Sequence, residues 1–281
     1  MVAKVRHVLS KQLGYKVKIG HTGTLDPEAE GILPLAIGEA TKLTNILIDA
    51  KKEYEFIIKF GEQRDTGDIA GEVVATSEIT PSRESCIDII DKFTGDIEQI
   101  PPKYSALKVN GVRAYKLARE QKDFNLSKRS IHIYELLMQD YDAAKRQAQY
   151  RVTCSKGTYI RTLSEDIALA LQSVGFVLEL RRTRVGIFEQ KSSFLASDLE
   201  KHSKLDAYEY LLDKVLKIDY VLDDIPVFDI DESVAQKVRF GQKIFFEQAD
   251  LPLVCLKYAD KIVAMGEISQ NMFLSSRGFN L

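Results

Sequence analysis

The feature that most constrains the fold is a set of short apolar segments that alternate with a period of two residues. From Tyr54 to Phe60 every second side chain is aromatic or aliphatic, which indicates a strand with one buried face. Ile131 to Met138 and Ala148 to Cys154 read as two further strands, and they follow each other directly. Strands that come in pairs favour an α+β fold over a doubly wound one. We therefore expect a mixed, largely antiparallel sheet with flanking helices.

Three segments are predicted to be helices. Val5 to Leu13 is partly periodic in its apolar residues. A second helix should begin with Thr80 as N-cap and Pro81 in its first turn and end at Gly95. A third carries apolar residues at helical spacing from Ile160 to Leu171, with Gly175 as its stop. Short strands are expected at residues 176–180 and 185–188.

A domain boundary is expected near residue 218. Residues 1–218 would form the first domain, and residues 219–281 a small β-rich one, because several short strand-like segments there are separated by turn residues. This second part carries ten acidic and six basic residues, a net charge of −4.

Composition excludes several classes of protein. No run of eighteen apolar residues occurs, so no membrane helix is expected. The amino terminus lacks the apolar core of a secretion signal. Cys86, Cys154 and Cys255 lie far apart, which argues against a disulfide scaffold or a structural zinc site. A reducing cytoplasmic location is expected, and Cys154 falls on the inward phase of a strand.

The near-neutral formal charge of −2 conceals one strongly basic segment. Residues 103–130 hold eight basic and two acidic side chains, a net charge of +6, and three aromatic rings lie among them. Cations and rings in one segment are what binding to a phosphate backbone requires. A solvent-exposed helix face is the alternative, and charge alone leaves the two about even.

Residues 20–43 are the candidate catalytic segment. They read GHTGTLDPEAEGILPLAIGEATKL, with glycines at four positions and Pro27 directly after Asp26. Proline favours an extended conformation in the residue before it, so Asp26 should lie on a loop. For an Asp-Pro pair taken alone, a simple turn would be the preferred interpretation.

Residues 20–43 resemble the catalytic motif of the bacterial tRNA pseudouridine-55 synthases, the TruB family. Further stretches match the family in the same order, at residues 52–68, 100–119, 154–163 and 180–182. Several long motifs in order are far more specific than one short pattern. The resemblance implies the pseudouridine synthase fold, a C-terminal PUA-like RNA-binding domain, and isomerisation of uridine 55 in the T-arm of tRNA.

The resemblance also assigns roles to individual residues. Asp26 would be the catalytic nucleophile or base, and Arg161 the cation that keeps it ionised in a water-poor pocket. Since a base must leave the folded RNA before an enzyme can act on it, His21 would fill the vacated space and Tyr54 would stack on the base. The remaining substrate-binding candidates are Leu180 against the uracil, Lys42 and Tyr159 near the pocket, and Lys108, Arg113 and Lys116 on the RNA.

The same resemblance implies no cofactor, no metal and no obligatory protein partner, and a monomer is expected. The chain lacks the opening strand and Lys-Pro motif of the family, so we interpret it as a sequence whose start codon is assigned too late or as a fragment.

Two other functions stay open. The chain could act mainly as a tRNA-folding chaperone with weak or lost catalysis, or as a guide-dependent synthase inside an RNA–protein particle.

Overall fold

The structure is a computed structural model that describes residues 1–202, 204–222 and 225–280. The helices are α1 Val2–Leu13, α2 Thr44–Asp49, α3 Arg83–Asp88, α4 Ala114–Arg119, α5 Ile160–Ala170, α6 Asp198–Lys201, α7 Lys204–Asp213 and α8 Glu232–Arg239. The strands are β1 Ile19–His21, β2 Glu30–Gly31, β3 Leu35–Ile37, β4 Lys52–Phe60, β5 Glu62–Arg64, β6 Val73–Thr76, β7 Gly95–Gln99, β8 Lys108–Val109, β9 Val112–Arg113, β10 Arg129–Asp142, β11 Gln147–Cys154, β12 Gly175–Val185, β13 Phe188–Glu189, β14 Val227–Asp229, β15 Ile244–Phe245, β16 Leu251–Tyr258, β17 Lys261–Ser269 and β18 Met272–Gly278. Within the described ranges, no helix combines the length and the apolar character that a membrane crossing requires.

The described chain divides into two compact units. The large unit consists of Gly23–Pro34 and Ile48–Ser193, and the small unit of Met1–Thr22, Leu35–Leu47 and Phe194–Leu281. Because each unit is assembled from separate stretches of sequence, the boundary expected near residue 218 stays a prediction.

A seven-stranded sheet forms the centre of the large unit. Its strands lie in the order β13-β12-β4-β11-β10-β7, and each neighbouring pair is antiparallel. The two-residue strand β2 is the exception, since it pairs in parallel with β12. The predicted α+β class with a mixed, largely antiparallel sheet is therefore confirmed.

Apolar side chains at alternate positions of β4 point into the core of this unit. Phe56, Ile58 and Phe60 are all at most 1% exposed, and Phe56 stacks on Tyr150 of β11 with ring centroids 5.7 Å apart. Helix α5 belongs to the same buried cluster through Leu163 and other apolar side chains. This packing anchors the helix whose first turn carries Arg161.

The start of α5 is fixed by a side chain from another strand. Gln99, at the end of β7, accepts a hydrogen bond from the Tyr159 N–H at 2.9 Å and donates one to the Tyr159 carbonyl at 3.1 Å. Tyr159 is the N-cap residue and has no capping side chain of its own, so the Gln99 amide satisfies one of the backbone donors that a helix start leaves open.

The small unit contains two assemblies of secondary structure. Helices α1 and α7 pack around buried side chains that include Val5, Leu9 and Leu211. A five-stranded sheet runs in the order β14-β16-β17-β18-β15, and helix α8 covers it through Ala235 and Val238. The expectation of a β-rich C-terminal part is confirmed, although α8 and β18 were not predicted.

Several predicted boundaries are wrong. The second helix does not begin at Thr80, because the Ser82 side chain caps α3 by accepting the Ser85 N–H. It ends before Gly95, which begins β7. Gly175 does not end α5; the chain leaves the helix at Gln172, whose φ is 58°. Residues 176–180 belong to one long strand, β12, that continues to Val185.

Candidate active site

Asp26 lies on a loop of the large unit. The C-terminal end of this loop is attached to the central sheet. Residues Glu30 and Gly31 form β2 and pair with Arg181 and Arg182 of β12. The loop contains a tight turn, because the Asp26 carbonyl accepts a hydrogen bond from the Ala29 N–H at 3.0 Å. The expected loop position of Asp26 is therefore present.

The predicted contact between Asp26 and Arg161 is also present. Arg161 Nη2 donates to Asp26 Oδ1 at 3.2 Å, and Arg161 Nε lies 2.9 Å from Oδ2 as an ion-pair contact without hydrogen-bond alignment. The guanidinium therefore faces the carboxylate side-on with two nitrogens. The Arg161 side chain is 6% exposed and that of Asp26 is 32% exposed. The Asp26 carboxylate is therefore partly exposed, whereas the guanidinium that pairs with it is buried.

Arg161 is oriented by three further oxygen atoms. Its Nη1 donates to the Thr66 carbonyl at 2.8 Å, and its Nη2 donates to the Tyr104 carbonyl at 3.0 Å. Asp68 Oδ2 lies 3.5 Å from Nη1. These contacts use the planar geometry of the guanidinium, which a lysine ammonium lacks.

Asp68 is the acidic residue that the sequence interpretation missed. Its Oδ1 accepts hydrogen bonds from Thr66 Oγ1 at 2.6 Å and from the Ala70 N–H at 3.1 Å, which leaves Oδ2 toward Arg161. Its side chain is 11% exposed. The sequence did carry a signal, because residues 65–68 belong to a stretch that matches the family, but nothing in the spacing linked Asp68 to Arg161.

The Asp26 carboxylate borders a small, solvent-open pocket within the large unit. Its lining combines four charged side chains with apolar residues, most of them on β12. The lining residues are Asp26, Glu28, Ala29, Asp68, Arg161, Val177, Leu178 and Leu180. Apolar side chains and a carboxylate in one pocket suit a flat polar ring that packs on one face. Leu180 was predicted here, whereas Val177 and Leu178 were not.

Tyr54 lies on β4, opposite Arg182 of β12 and Val152 of β11. Burial raises the pKa of its hydroxyl to about 12, although the positive charge of Arg182 acts in the opposite direction. The phenol is therefore neutral near pH 7. Tyr54 is not among the residues that border the pocket in the described part of the chain, and its stacking role stays a prediction.

A second acidic side chain with an altered pKa lies on α5. Glu165 follows Arg161 by one helical turn, and burial raises its pKa to about 7; the charge of Asp166 adds to this rise and that of Arg161 opposes it. Gly67 lies against both residues, since a Cβ there would be 3.3 Å from Arg161 Cβ and 3.4 Å from Glu165 Oε1. Glu165 was not predicted from the sequence.

Tyr159, also a predicted site residue, is half-buried at the start of α5. Burial raises the pKa of its hydroxyl. Its backbone contacts with Gln99 are the ones that fix the helix start. A direct contact with substrate stays a prediction.

His21 and Lys42 belong to the small unit. His21 is an exposed residue at the end of β1, where it pairs with Leu35 of β3. Lys42 Nζ lies 2.6 Å from Glu39 Oε2 and donates to the Gly278 carbonyl at 2.7 Å. The roles predicted for both in substrate binding stay predictions.

The basic segment, residues 103–130, forms a short hairpin from β8 and β9 followed by α4. All eight of its basic side chains are exposed. Lys122 pairs with Glu120, and Lys128 with Glu98. The other six have no carboxylate of the described residues within 4.0 Å: Lys103, Lys108, Arg113, Lys116, Arg119 and Arg129. This concentration of unpaired positive charge suits a polyanionic partner.

Comparison with known proteins places two family models end to end on the chain. The N-terminal domain of the TruB family pseudouridylate synthases matches residues 7–160. The C-terminal domain of tRNA pseudouridylate synthase B matches residues 161–223. Together these models include Asp26, Asp68 and Arg161.

Solved structures share the fold. A Cbf5–Nop10–Gar1 complex contains a chain with a TM-score of 0.68 and 22% identity, over 98% of this chain and 79% of that chain. An H/ACA RNP bound to a substrate RNA containing 2′-deoxyuridine gives a TM-score of 0.64 and 23% identity, over 98% and 75%. At this identity the likeness supports the fold alone.

Bacterial relatives are much more similar in sequence. The tRNA pseudouridine synthase B of Rickettsia bellii (strain OSU 85-389) is 52% identical over 280 residues, which is 99% of this chain and 94% of that protein. The same-named protein of Rickettsia akari is 49% identical over the same shares. The N-terminal family model matches more than half of this chain, and these relatives match nearly all of it. The chain therefore belongs to the TruB family of pseudouridylate synthases.

Proposed function

We propose that this protein is a tRNA pseudouridine-55 synthase, an isomerase that acts on the uridine at position 55 in the T-arm of tRNA. Membership of the family supports the reaction. The relatives, at 49% to 53% identity, are each named tRNA pseudouridine synthase B, which supports tRNA as the substrate.

The reaction is balanced within the substrate. The bond from C1′ to N1 of the uracil breaks, the base turns, and a bond from C1′ to C5 forms. C5 loses its proton and N1 gains one, so no oxidant, reductant or second substrate is consumed. The protein must supply an ionised carboxylate as nucleophile or base and a site that holds the detached base.

The observation that carries the proposal is the Asp26–Arg161 pair at the edge of the pocket. A guanidinium that faces the carboxylate with two nitrogens favours its charged form. The pocket wall formed by Leu180 and its neighbours on β12 offers an apolar face to one side of a uracil ring. Asp26 therefore acts on the flipped base, and Arg161 holds it ionised and oriented.

The other residues receive proposed roles from the resemblance. Tyr54 stacks on the flipped base, and Tyr159 forms part of the pocket wall. His21 fills the space that the base vacates, and Lys42 acts near the site. A half-buried neutral phenol such as that of Tyr54 suits contact with a ring, since one side packs on the core and the other meets a ligand.

In this proposal the basic segment binds the T-arm of the tRNA. Its six unpaired cations support this role, because release of counterions from phosphates drives such binding.

We further propose a catalytic domain at residues 1–218 and a PUA-like RNA-binding domain at residues 219–281. The enzyme would act as a monomer without a protein partner.

The test is conversion of an unmodified tRNA transcript, with pseudouridine detected as primer-extension stops after carbodiimide treatment. Asp26→Asn should bind the transcript with unchanged affinity and form no product. Asp96→Asn is the matched control, because Asp96 is 81% exposed in the same unit, and it should retain wild-type activity. Product formation by Asp26→Asn at the wild-type rate would overturn the assignment of Asp26.

The same assay separates the two alternative functions. A protein that anneals misfolded tRNA equally well with and without Asp26, and forms no pseudouridine, would be a chaperone. A protein that needs an added guide RNA before it modifies the transcript would be a guide-dependent synthase. Modification of a bare transcript by the purified chain supports the proposed function over both.

A further inference from the structure

Arg182 is a buried cation that the reaction described above does not use. It is 2% exposed and lies on β12, directly opposite Tyr54 of β4. Its Nε donates to the Ile32 carbonyl at 2.7 Å, and its Nη2 donates to the Gly23 carbonyl at 3.2 Å. These two carbonyls mark the two ends of the loop that carries Asp26.

The backbone of Arg182 holds the same loop. Its carbonyl accepts a hydrogen bond from the Ile32 N–H at 2.8 Å. The approach is so close at Gly31 that a Cβ there would lie 2.1 Å from the Arg182 carbonyl oxygen. Gly31 has a φ of 108°, so this residue provides both the space and the conformation. One residue therefore attaches the loop through three hydrogen bonds, at its beginning and at its end.

The positive charge of Arg182 has no ion-pair partner within 4.0 Å among the described residues. A buried charge without a counterion is unfavourable unless hydrogen bonds replace its lost water. Two carbonyl oxygens supply such bonds, and the guanidinium also faces the Tyr54 hydroxyl. A second buried cation, Lys52, is close enough that Arg182 contributes to lowering its pKa, after the larger effect of burial.

Arg182 does not border the pocket, in contrast to Leu180 two residues earlier on the same strand. Its influence on a bound base must therefore pass through the residues that it holds. We propose that Arg182 is a positioning residue for the isomerisation: by holding both ends of the Gly23–Ile32 loop, it fixes the distance between the Asp26 carboxylate and Arg161. This inference rests on the proposed function, because the rate that it predicts is that of pseudouridine formation.

The discriminating variant is Arg182→Lys, which retains the positive charge. A single ammonium on a flexible stem cannot donate to Gly23 and Ile32 in the fixed directions of a guanidinium, so the loop loses one of its two side-chain attachments. We expect the single-turnover rate of pseudouridine formation to fall roughly a hundredfold, the effect of displacing a catalytic group by about 1 Å. The dissociation constant for tRNA should change less than twofold, because Arg182 is buried and has almost no surface to offer to RNA.

Arg184→Lys is the matched control. Arg184 lies two residues further along β12, its side chain is 41% exposed, and its partner is Glu53 rather than the Asp26 loop. It should keep the wild-type rate and affinity.

Arg182→Met, which removes the charge, should form pseudouridine more slowly than Arg182→Lys. The melting curve of Arg182→Met shows how much of the lost rate comes from unfolding.

Amide hydrogen exchange separates a positioning role from a general structural one. In Arg182→Lys, exchange should accelerate at Ala29 and Ile32, whose N–H groups are bonded within or at the end of the loop. It should stay unchanged at Val152, in the middle of the sheet. Equal acceleration at all three positions would assign Arg182 to stability alone.

Two further outcomes would overturn the inference while leaving the proposed function intact. One is an Arg182→Lys rate within twofold of Arg184→Lys. The other is a loss of rate with no change in exchange at Ala29 and Ile32. Absence of pseudouridine from the wild-type reaction would instead count against the proposed function.

Discussion

The Asp26 carboxylate and the Arg161 guanidinium meet side-on although they lie 135 residues apart in the chain. Asp26 is held on the sheet by β2, and Arg161 is held in the first turn of α5, whose start Gln99 determines. The two side chains are therefore in contact without a bound substrate. Such preorganisation of charges is a main source of enzymatic rate enhancement.

Arg161→Lys should abolish most of the activity and leave tRNA binding intact. Lysine keeps the charge but cannot contact Asp26 with two nitrogens while it also donates to the carbonyls of Thr66 and Tyr104. We expect the single-turnover rate to fall by roughly a factor of 10² to 10³, the usual loss when one preorganised charge contact is removed. Rapid-quench measurement with saturating enzyme and filter binding of labelled tRNA give the two values. A parallel loss of binding would show that Arg161 acts on the RNA rather than on Asp26.

Asp68→Asn tests the acidic residue behind Arg161. The amide keeps the size of the side chain but removes the negative charge 3.5 Å from Arg161 Nη1. Because Asp68 acts on Asp26 only through Arg161, we expect the rate to fall roughly tenfold, less than the factor of about 10² to 10³ that loss of one direct preorganised contact costs. The control is Asp65→Asn in the same loop, since Asp65 is exposed and bonded to the Glu72 N–H. Equal rates in both variants would remove Asp68 from the site.

The sequence analysis predicted the contact between Asp26 and Arg161 but not the residues that hold this pair, and the reason is physical. Asp26 and Arg161 could be paired because each lies in a long motif of the family. Asp68 and Arg182 lie in such motifs too, yet their contacts depend on a bridge between Asp68 and Val177 and on the pairing of β2 with β12. Neither pairing has a periodic signal, because one is a single residue pair and the other is two residues long.

The fold was predictable where periodicity is strong. The alternation of β4 and the spacing of α5 both predicted their elements, since each has one continuous buried face. Boundaries failed where a glycine or proline was taken as the signal. Ser82, rather than Thr80, caps α3, because its side chain accepts a hydrogen bond from the Ser85 N–H.

Charge reversal of Lys108, Arg113 and Lys116 should weaken tRNA binding and reduce its dependence on salt. Each exposed cation that neutralises a phosphate releases counterions, so removal of three contacts should lower the slope of log K against log salt by roughly 2–3. The single-turnover rate at saturating enzyme should change little. Filter binding at several potassium chloride concentrations gives the slope. Lys145→Glu, at an exposed turn of the same unit, is the control and should leave it unchanged.

Glu165→Gln should make the stability of the protein less dependent on pH. Because burial raises the pKa of Glu165 from 4.5 to about 7 in the folded protein, the folded state binds a proton that the unfolded chain has already released between these values. The stabilising contribution is therefore full below about pH 4.5 and is lost as the pH rises through about 7. We expect the variant to lose less stability than the wild type between pH 5 and pH 8.

The measurement is the melting temperature of both proteins across that range, by circular dichroism. At pH 8 Glu165→Gln should melt a few degrees higher than the wild type, on the scale of about 2–4 °C per kcal/mol for domains of 150–250 residues, while at pH 5 the two should nearly coincide. Glu179→Gln serves as the control, because Glu179 is exposed on β12, and its melting curve should follow that of the wild type at every pH. If Glu165→Gln also follows the wild type throughout, the carboxyl group of Glu165 is ionised in the folded protein across this range, and its burial beside Asp166 and Arg161 does not hold a proton on it.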